Sequence, residues 1–95
     1  MDKILLNYLI EHGYANDDIE FLCQVCPGLK IISGERALAN IAAVIDAGYP
    51  ESEIDILISA NPGFLLNQPK ATANKLAQLD GEIEFVLKEN PELLD

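Results

Sequence analysis

Carboxylates are the side chains with the most capacity for chemistry in this chain, and three pairs of them recur in one pattern. Asp18-Ile19-Glu20, Glu53-Ile54-Asp55 and Glu82-Ile83-Glu84 each set two acids around one isoleucine. Carboxylates repeated in step can form a ridge that docks a basic partner. Each pair also falls in the first turn of an expected helix, where negative charge complements the N-terminal dipole and solvated faces are charged. A partner-binding ridge of Asp18, Glu20, Glu53, Asp55, Glu82 and Glu84 and a merely solvated row of helix starts are both open at this level. Cys23-Gln24-Val25-Cys26 is a C-x-x-C, with metal and redox readings to weigh. Zinc takes about four ligands, and His12 is the only histidine available to join the two thiols. Redox pairs place the reactive thiol at a helix N-terminus, which favours thiolate, whereas these cysteines fall near a helix C-terminus. They are expected in or near the core, and His12 is expected to cap carbonyls of its own helix. No Ser-His-Asp constellation, phosphate loop or H-E-x-x-H stretch occurs, and one histidine leaves little scope for general-base catalysis. A non-enzyme without metal or cofactor is expected.

Charge narrows the partner. Sixteen acids face six bases over 95 residues, for a formal net charge of -10. The acids run along the whole chain, so this is an acidic body and not an acidic tail. Its field repels phosphate backbones and anionic membranes and attracts basic surfaces. The expected partner is therefore a protein, a basic one suiting the charge best, with nucleic acid and membrane disfavoured. No run of eighteen apolar residues is present, so no membrane span is expected. The start, Met1-Asp2-Lys3-Ile4, lacks the basic region of a signal peptide. Together with two cysteines this points to a reducing, cytoplasmic setting.

These acids must be positioned by helices. Leu5, Leu6 and Leu9 lie on one side of a first helix over Lys3 to His12, with Gly13 as its left-handed stop. Ile19, Leu22 and Cys26 stripe a second helix that Pro27 ends, and Phe21 and Val25 beside them suggest burial on more than one side. Ser33 caps a third helix reaching about Ala47, where Leu38, Ile41, Ala42 and Ile45 follow the helical period. Gly48 stops it, Pro50 opens the fourth at or near its first position, Ile54, Leu57 and Ile58 face inward, and Pro62 ends it. Phe64, Leu65 and Leu66 form an apolar hook. Asn67 or Gln68 caps a fifth helix from about Pro69, with Ala73, Leu76 and Leu79 inward. Gly81 separates a sixth, carrying Ile83, Val86 and Leu87 before Pro91. No stretch alternates with period two, so the chain is expected to be all-α, a single domain of about six helices.

The punctuation repeats. Gly13 and Gly48, Ile19 and Ile54, Leu22 and Leu57, Pro27 and Pro62, and Gly28 and Gly63 are all 35 residues apart. A shortened third copy follows at a spacing of 29, from Ile54 to Ile83 and from Pro62 to Pro91. A period of this length marks stacked helical units, none of which buries its apolar face alone. The units run over about 1–33, 34–68 and 69–95. Gly48-Tyr49, Glu53-Ile54, Leu57, Asn61-Pro62 and Leu65-Leu66 resemble the repeat of the mitochondrial transcription termination factor (mTERF) family. The resemblance covers essentially the whole chain, as two full units and a fragment. It implies a short stack of helical hairpins, each finished by a 3₁₀-like turn after its proline. It also implies nucleic-acid binding through basic residues in a concave groove, and from that pattern this chain departs. Lys3, Lys30, Arg36, Lys70, Lys75 and Lys88 are scattered among far more acids, and none matches a definite family binding position. The expectation is an acidic helical-repeat interaction module or regulator. The alternatives are an mTERF-like nucleic-acid binder and an acidic mimic of nucleic acid that occupies a basic groove.

Overall fold

Glycines and prolines set where the helices stop. Gly13 and Gly48 adopt φ of +91° and +120°, a backbone state open to glycine and strained for other residues. The Gly13 N–H donates to the Ile10 carbonyl and the Tyr14 N–H to that of Leu9, while Gly48 and Tyr49 donate in the same way to Ile45 and Val44. These are the paired bonds of a Schellman cap. Before each proline, Cys26, Asn61 and Asn90 leave the helical region, with φ between -149° and -132° and ψ between 73° and 84°. That is the state a following proline imposes. Their N–H groups still donate to Leu22, Leu57 and Val86, and their carbonyls accept from Leu29, Phe64 and Leu93. The same local bonds thus recur at the spacings of 35 and 29 residues.

The computed structural model describes residues 1–95 and is all-helical. Its α-helices are α1 (Lys3–Glu11), α2 (Asn16–Val25), α3 (Gly34–Asp46), α4 (Ile54–Ala60), α5 (Pro69–Ala77) and α6 (Ile83–Glu89). Short 3₁₀ hooks follow three prolines, at Pro27–Lys30, Pro62–Leu66 and Pro91–Leu94. A first layer is made by α1, α3 and α5 with α3 in the centre; in the second layer α4 packs on α6 and α2 on the first hook. The molecule measures 35 × 22 × 20 Å. Leu5 and Leu9 of α1, Ile41 and Val44 of α3, Leu29, Phe64, Leu65 and Leu94 of the hooks, and Ile54, Leu57, Ile58 and Leu87 of the second layer make one aliphatic core. No helix is long and apolar enough to cross a membrane.

Several details differ from the periodic reading. The buried face of α3 is Gly34, Ala37, Asn40, Ile41 and Val44, while Leu38 and Ile45 are half-buried and Ala42 is exposed. The cause is that α3 sits between two helices and has no single inward side. Its first turn also approaches α1 so closely that a Cβ on Gly34 would lie 2.6 Å from Ile4 Cβ. Phe21 and Val25 are exposed, not buried, at 62% and 58%. On α5, Thr72 and Leu76 face inward and Ala73 does not. Pro50 precedes a 3₁₀ turn at Glu51–Glu53, and α4 begins only at Ile54. Gln68 holds the N-cap position of α5 without a capping bond.

Asn67 is used elsewhere, in a polar network that sequence periodicity does not reveal. Asn40, fully buried, donates from Nδ2 to the carbonyls of Leu65 (3.1 Å) and Asn67 (2.9 Å) and accepts from Thr72 Oγ1 at 2.6 Å. Arg36 donates from Nε to the Asn67 carbonyl at 2.9 Å and from its terminal nitrogen to that of Leu66. Asn67 Nδ2 donates to Thr72 Oγ1 (3.2 Å) and to the Leu94 carbonyl (2.6 Å). Lys75, 35 residues after Asn40, reaches the carbonyl of Leu94 and the main-chain oxygen of Asp95. Carbonyls at the ends of the second and third hooks thereby find donors on the first layer, as carbonyls removed from water require.

Candidate functional site

The second-layer helices carry the acid pairs, and their burial recurs position by position. Leu22, Leu57 and Val86 turn inward, as do Cys23, Ile58 and Leu87. Phe21, Ile56 and Phe85 are exposed at 62%, 46% and 63%, spaced again by 35 and 29 residues. Each second-layer helix therefore presents a large apolar side chain to solvent at the same position beside its acids, and α2 adds Val25. The repeat makes this legible only after the burial is known, because exposed Phe21 looks like core in sequence.

Adjacent units meet at two joints, each plugged by the tyrosine of a Gly-Tyr cap. At the α2/α4 joint the Tyr14 hydroxyl donates to the Asp55 carbonyl at 2.8 Å. Its proton thus committed, the oxygen accepts from Ser59 Oγ, also at 2.8 Å. Beside it opens a cleft of about 330 Å³ lined by His12, Tyr14, Asp18, Phe21, Asp55 and Ser59, among others. Burial pushes the Tyr14 phenol above its ordinary range, the Ser59 hydrogen bond opposes this, and the negative charges of Asp55 and Asp18 add to the rise.

At the α4/α6 joint Tyr49 is buried, 1% exposed, and its hydroxyl has no partner. Here Lys88 stands where Ser59 stands one unit earlier. Its Nζ bridges Glu53 Oε1 at 2.7 Å and Glu84 Oε2 at 2.8 Å. Hydrogen bonds from the ammonium hold the Glu53 carboxyl below its usual value and raise Lys88 above its own.

The six expected ridge residues are divided by these joints. Glu53 and Glu84 are brought together around Lys88. Asp18 and Asp55 line the open cleft, and Asp18 Oδ2 also accepts from the Ala15 N–H at 2.9 Å, half of a capping box on α2. Glu20 and Glu82 are exposed on their helix starts and enter neither site. Tyr14, Ser59 and Phe21 are the site residues that acid spacing overlooks; the Gly-Tyr repeat is the signal that points to Tyr14.

His12 caps as expected. Its Nδ1 donates to the Tyr8 carbonyl at 2.9 Å, its ring stacks on Tyr8 with centroids 4.0 Å apart, and Nε2 lies 4.0 Å from Glu51 Oε2. Cys23 is buried and Cys26 half-buried, and burial pushes the Cys26 thiol up, away from the thiolate that metal binding and redox exchange use. No group of three or more His, Cys, Asp or Glu side chains converges on a metal position. A second depression, of about 510 Å³, lies between α3 and α5 against alanines 43, 47, 73 and 77 and carries one acid, Asp46.

The chain matches no family model, no curated protein and no solved structure.

Proposed function

We propose that this protein is a non-enzymatic, acidic helical-repeat interaction module whose partner is a basic protein. The observation that carries this reading is the state of the acids on the second layer. Lys88 bridges Glu53 and Glu84, while Asp18, Glu20, Asp55 and Glu82 stand exposed with no base in ion-pair range. Uncompensated surface charge of one sign steers and selects partners of the other. The prolines followed by 3₁₀ hooks support kinship with mTERF-like stacks. The net charge of -10 weighs against the nucleic-acid binding that kinship would bring. Two unpaired cysteines suit a reducing, cytoplasmic setting.

Titration of the labelled protein with a lysine-rich peptide, and separately with mixed-sequence DNA and RNA at low salt, tests the proposal. Micromolar binding of the peptide that weakens with salt, without nucleic-acid binding, is the expected result. Nucleic-acid binding of similar strength, or no binding to the basic peptide, overturns it.

A further inference from the structure

The two joints are built from corresponding residues, and one of them lacks its cation. Moving back one unit takes Lys88 to Ser59, Glu84 to Asp55 and Glu53 to Asp18. At the α4/α6 joint the ammonium lies between two carboxylates. At the α2/α4 joint the two corresponding carboxylates face a cleft in which no Lys or Arg of the chain takes part. Both lie near enough to Tyr14 to raise its phenol, just as Lys88, Glu53 and Glu84 act on Tyr49.

From this correspondence we infer that the α2/α4 cleft receives a lysine or arginine side chain from the partner, while an apolar neighbour on the same partner segment packs on Phe21 and Ile56. The inference rests on the interaction-module reading and names its contact. The cleft has the properties such an anchor needs. Asp18 and Asp55 supply opposite charge, Phe21 offers an exposed aromatic face on which a cation is held through the ring quadrupole, and about 330 Å³ accommodates a side chain. Phe21, Ile56 and Phe85 then form an apolar row beside the charge. The occupant is therefore a basic amphipathic segment. A second copy of this chain is disfavoured, since it would set one acidic face against another.

Two peptides of about 16 residues and equal positive charge separate this contact from general attraction, one an amphipathic lysine–leucine helix and the other lysine–serine. The amphipathic peptide should bind at least about tenfold more tightly, because burying even one large apolar side chain contributes that much. Ser59→Lys gives the cleft its own cation, as Lys88 does at the other joint, and should reduce the amphipathic peptide to the level of the other. Gln78→Lys makes the same charge change at an exposed position on the first layer and should leave the difference in place. Phe21→Ser should remove most of it with the circular dichroism spectrum unchanged. Equal binding of the two peptides to the wild type, or equal losses in Ser59→Lys and Gln78→Lys, overturns the cleft contact and leaves the interaction-module reading standing. If neither peptide binds, both fail. Light scattering that shows a dimer abolished by Phe21→Ser assigns the row to a second copy and overturns the inference.

Discussion

The α2/α4 and α4/α6 joints start from the same parts and end in opposite conditions. Each is plugged by a tyrosine delivered by a glycine-terminated helix. One tyrosine is half-buried with its hydroxyl satisfied twice, and the other is enclosed with its hydroxyl unpaired. Residue 59 or 88 makes the difference. A serine donates to the tyrosine and leaves two carboxylates without a cation. A lysine is drawn to its carboxylates and leaves the tyrosine without a partner. One substitution within a repeat thus exchanges a satisfied hydroxyl and an open acidic cleft for a bridged pair of carboxylates and a closed seam.

The largest break in the comparison comes from removing the plugs. Tyr49→Ala should cost about 3–5 kcal/mol, as truncating an enclosed aromatic does. Tyr14→Ala should cost about half as much, since part of that ring already meets solvent. Urea denaturation of both variants measures this, and equal losses would mean the joints are closed alike. Removing only the hydroxyls should separate them by sign. Tyr14→Phe loses its hydrogen bonds and about 0.5–1.5 kcal/mol, whereas Tyr49→Phe relieves an unpaired buried oxygen and should be neutral or stabilising.

A titration sharpens the same contrast. The chain has three tyrosines and no tryptophan, so absorbance near 295 nm follows tyrosinate alone. Burial raises all three phenols, Tyr8 to about 12. Since the folded values exceed the unfolded value near 10, the stability they contribute is full below that pH and is lost as pH rises through the folded values. Folded protein should therefore show little tyrosinate at a pH where urea-unfolded protein is half ionised. The smallest expected effect is at acid pH. Glu53, depressed by Lys88, contributes stability above the usual carboxylate range that is lost as pH falls through its lowered value. Lys88→Ser should flatten that acid limb of the stability profile and bring the second joint closer to the first.

Much of the architecture can be read from residues whose effects are local. Gly13 and Gly48 must end helices because they adopt positive φ, and Pro27, Pro62 and Pro91 must end others because of what they forbid their predecessors. These recur in step, so six helices and three hooks follow from neighbours in sequence. The buried face of α3 does not, because Asn40 is chosen by carbonyls 25 and 27 residues away. A hydropathy pattern reads a buried asparagine as surface and an exposed Phe21 as core. The candidate site was half legible for the same reason. The acid pairs stand out by spacing, but whether an acid keeps its charge free depends on one residue from the next unit, Ser59 or Lys88.

The network around Asn40 has a consequence for motion. A stacked repeat array can lose its terminal unit while the rest stays folded. Here Asn67 holds the Leu94 carbonyl and shares Thr72 with Asn40, so the second and third hooks are fastened to each other as well as to the first layer. Release of one exposes the polar groups of the other. Amides of the second and third hooks and of α5 should therefore exchange in one opening event, which hydrogen exchange followed residue by residue checks.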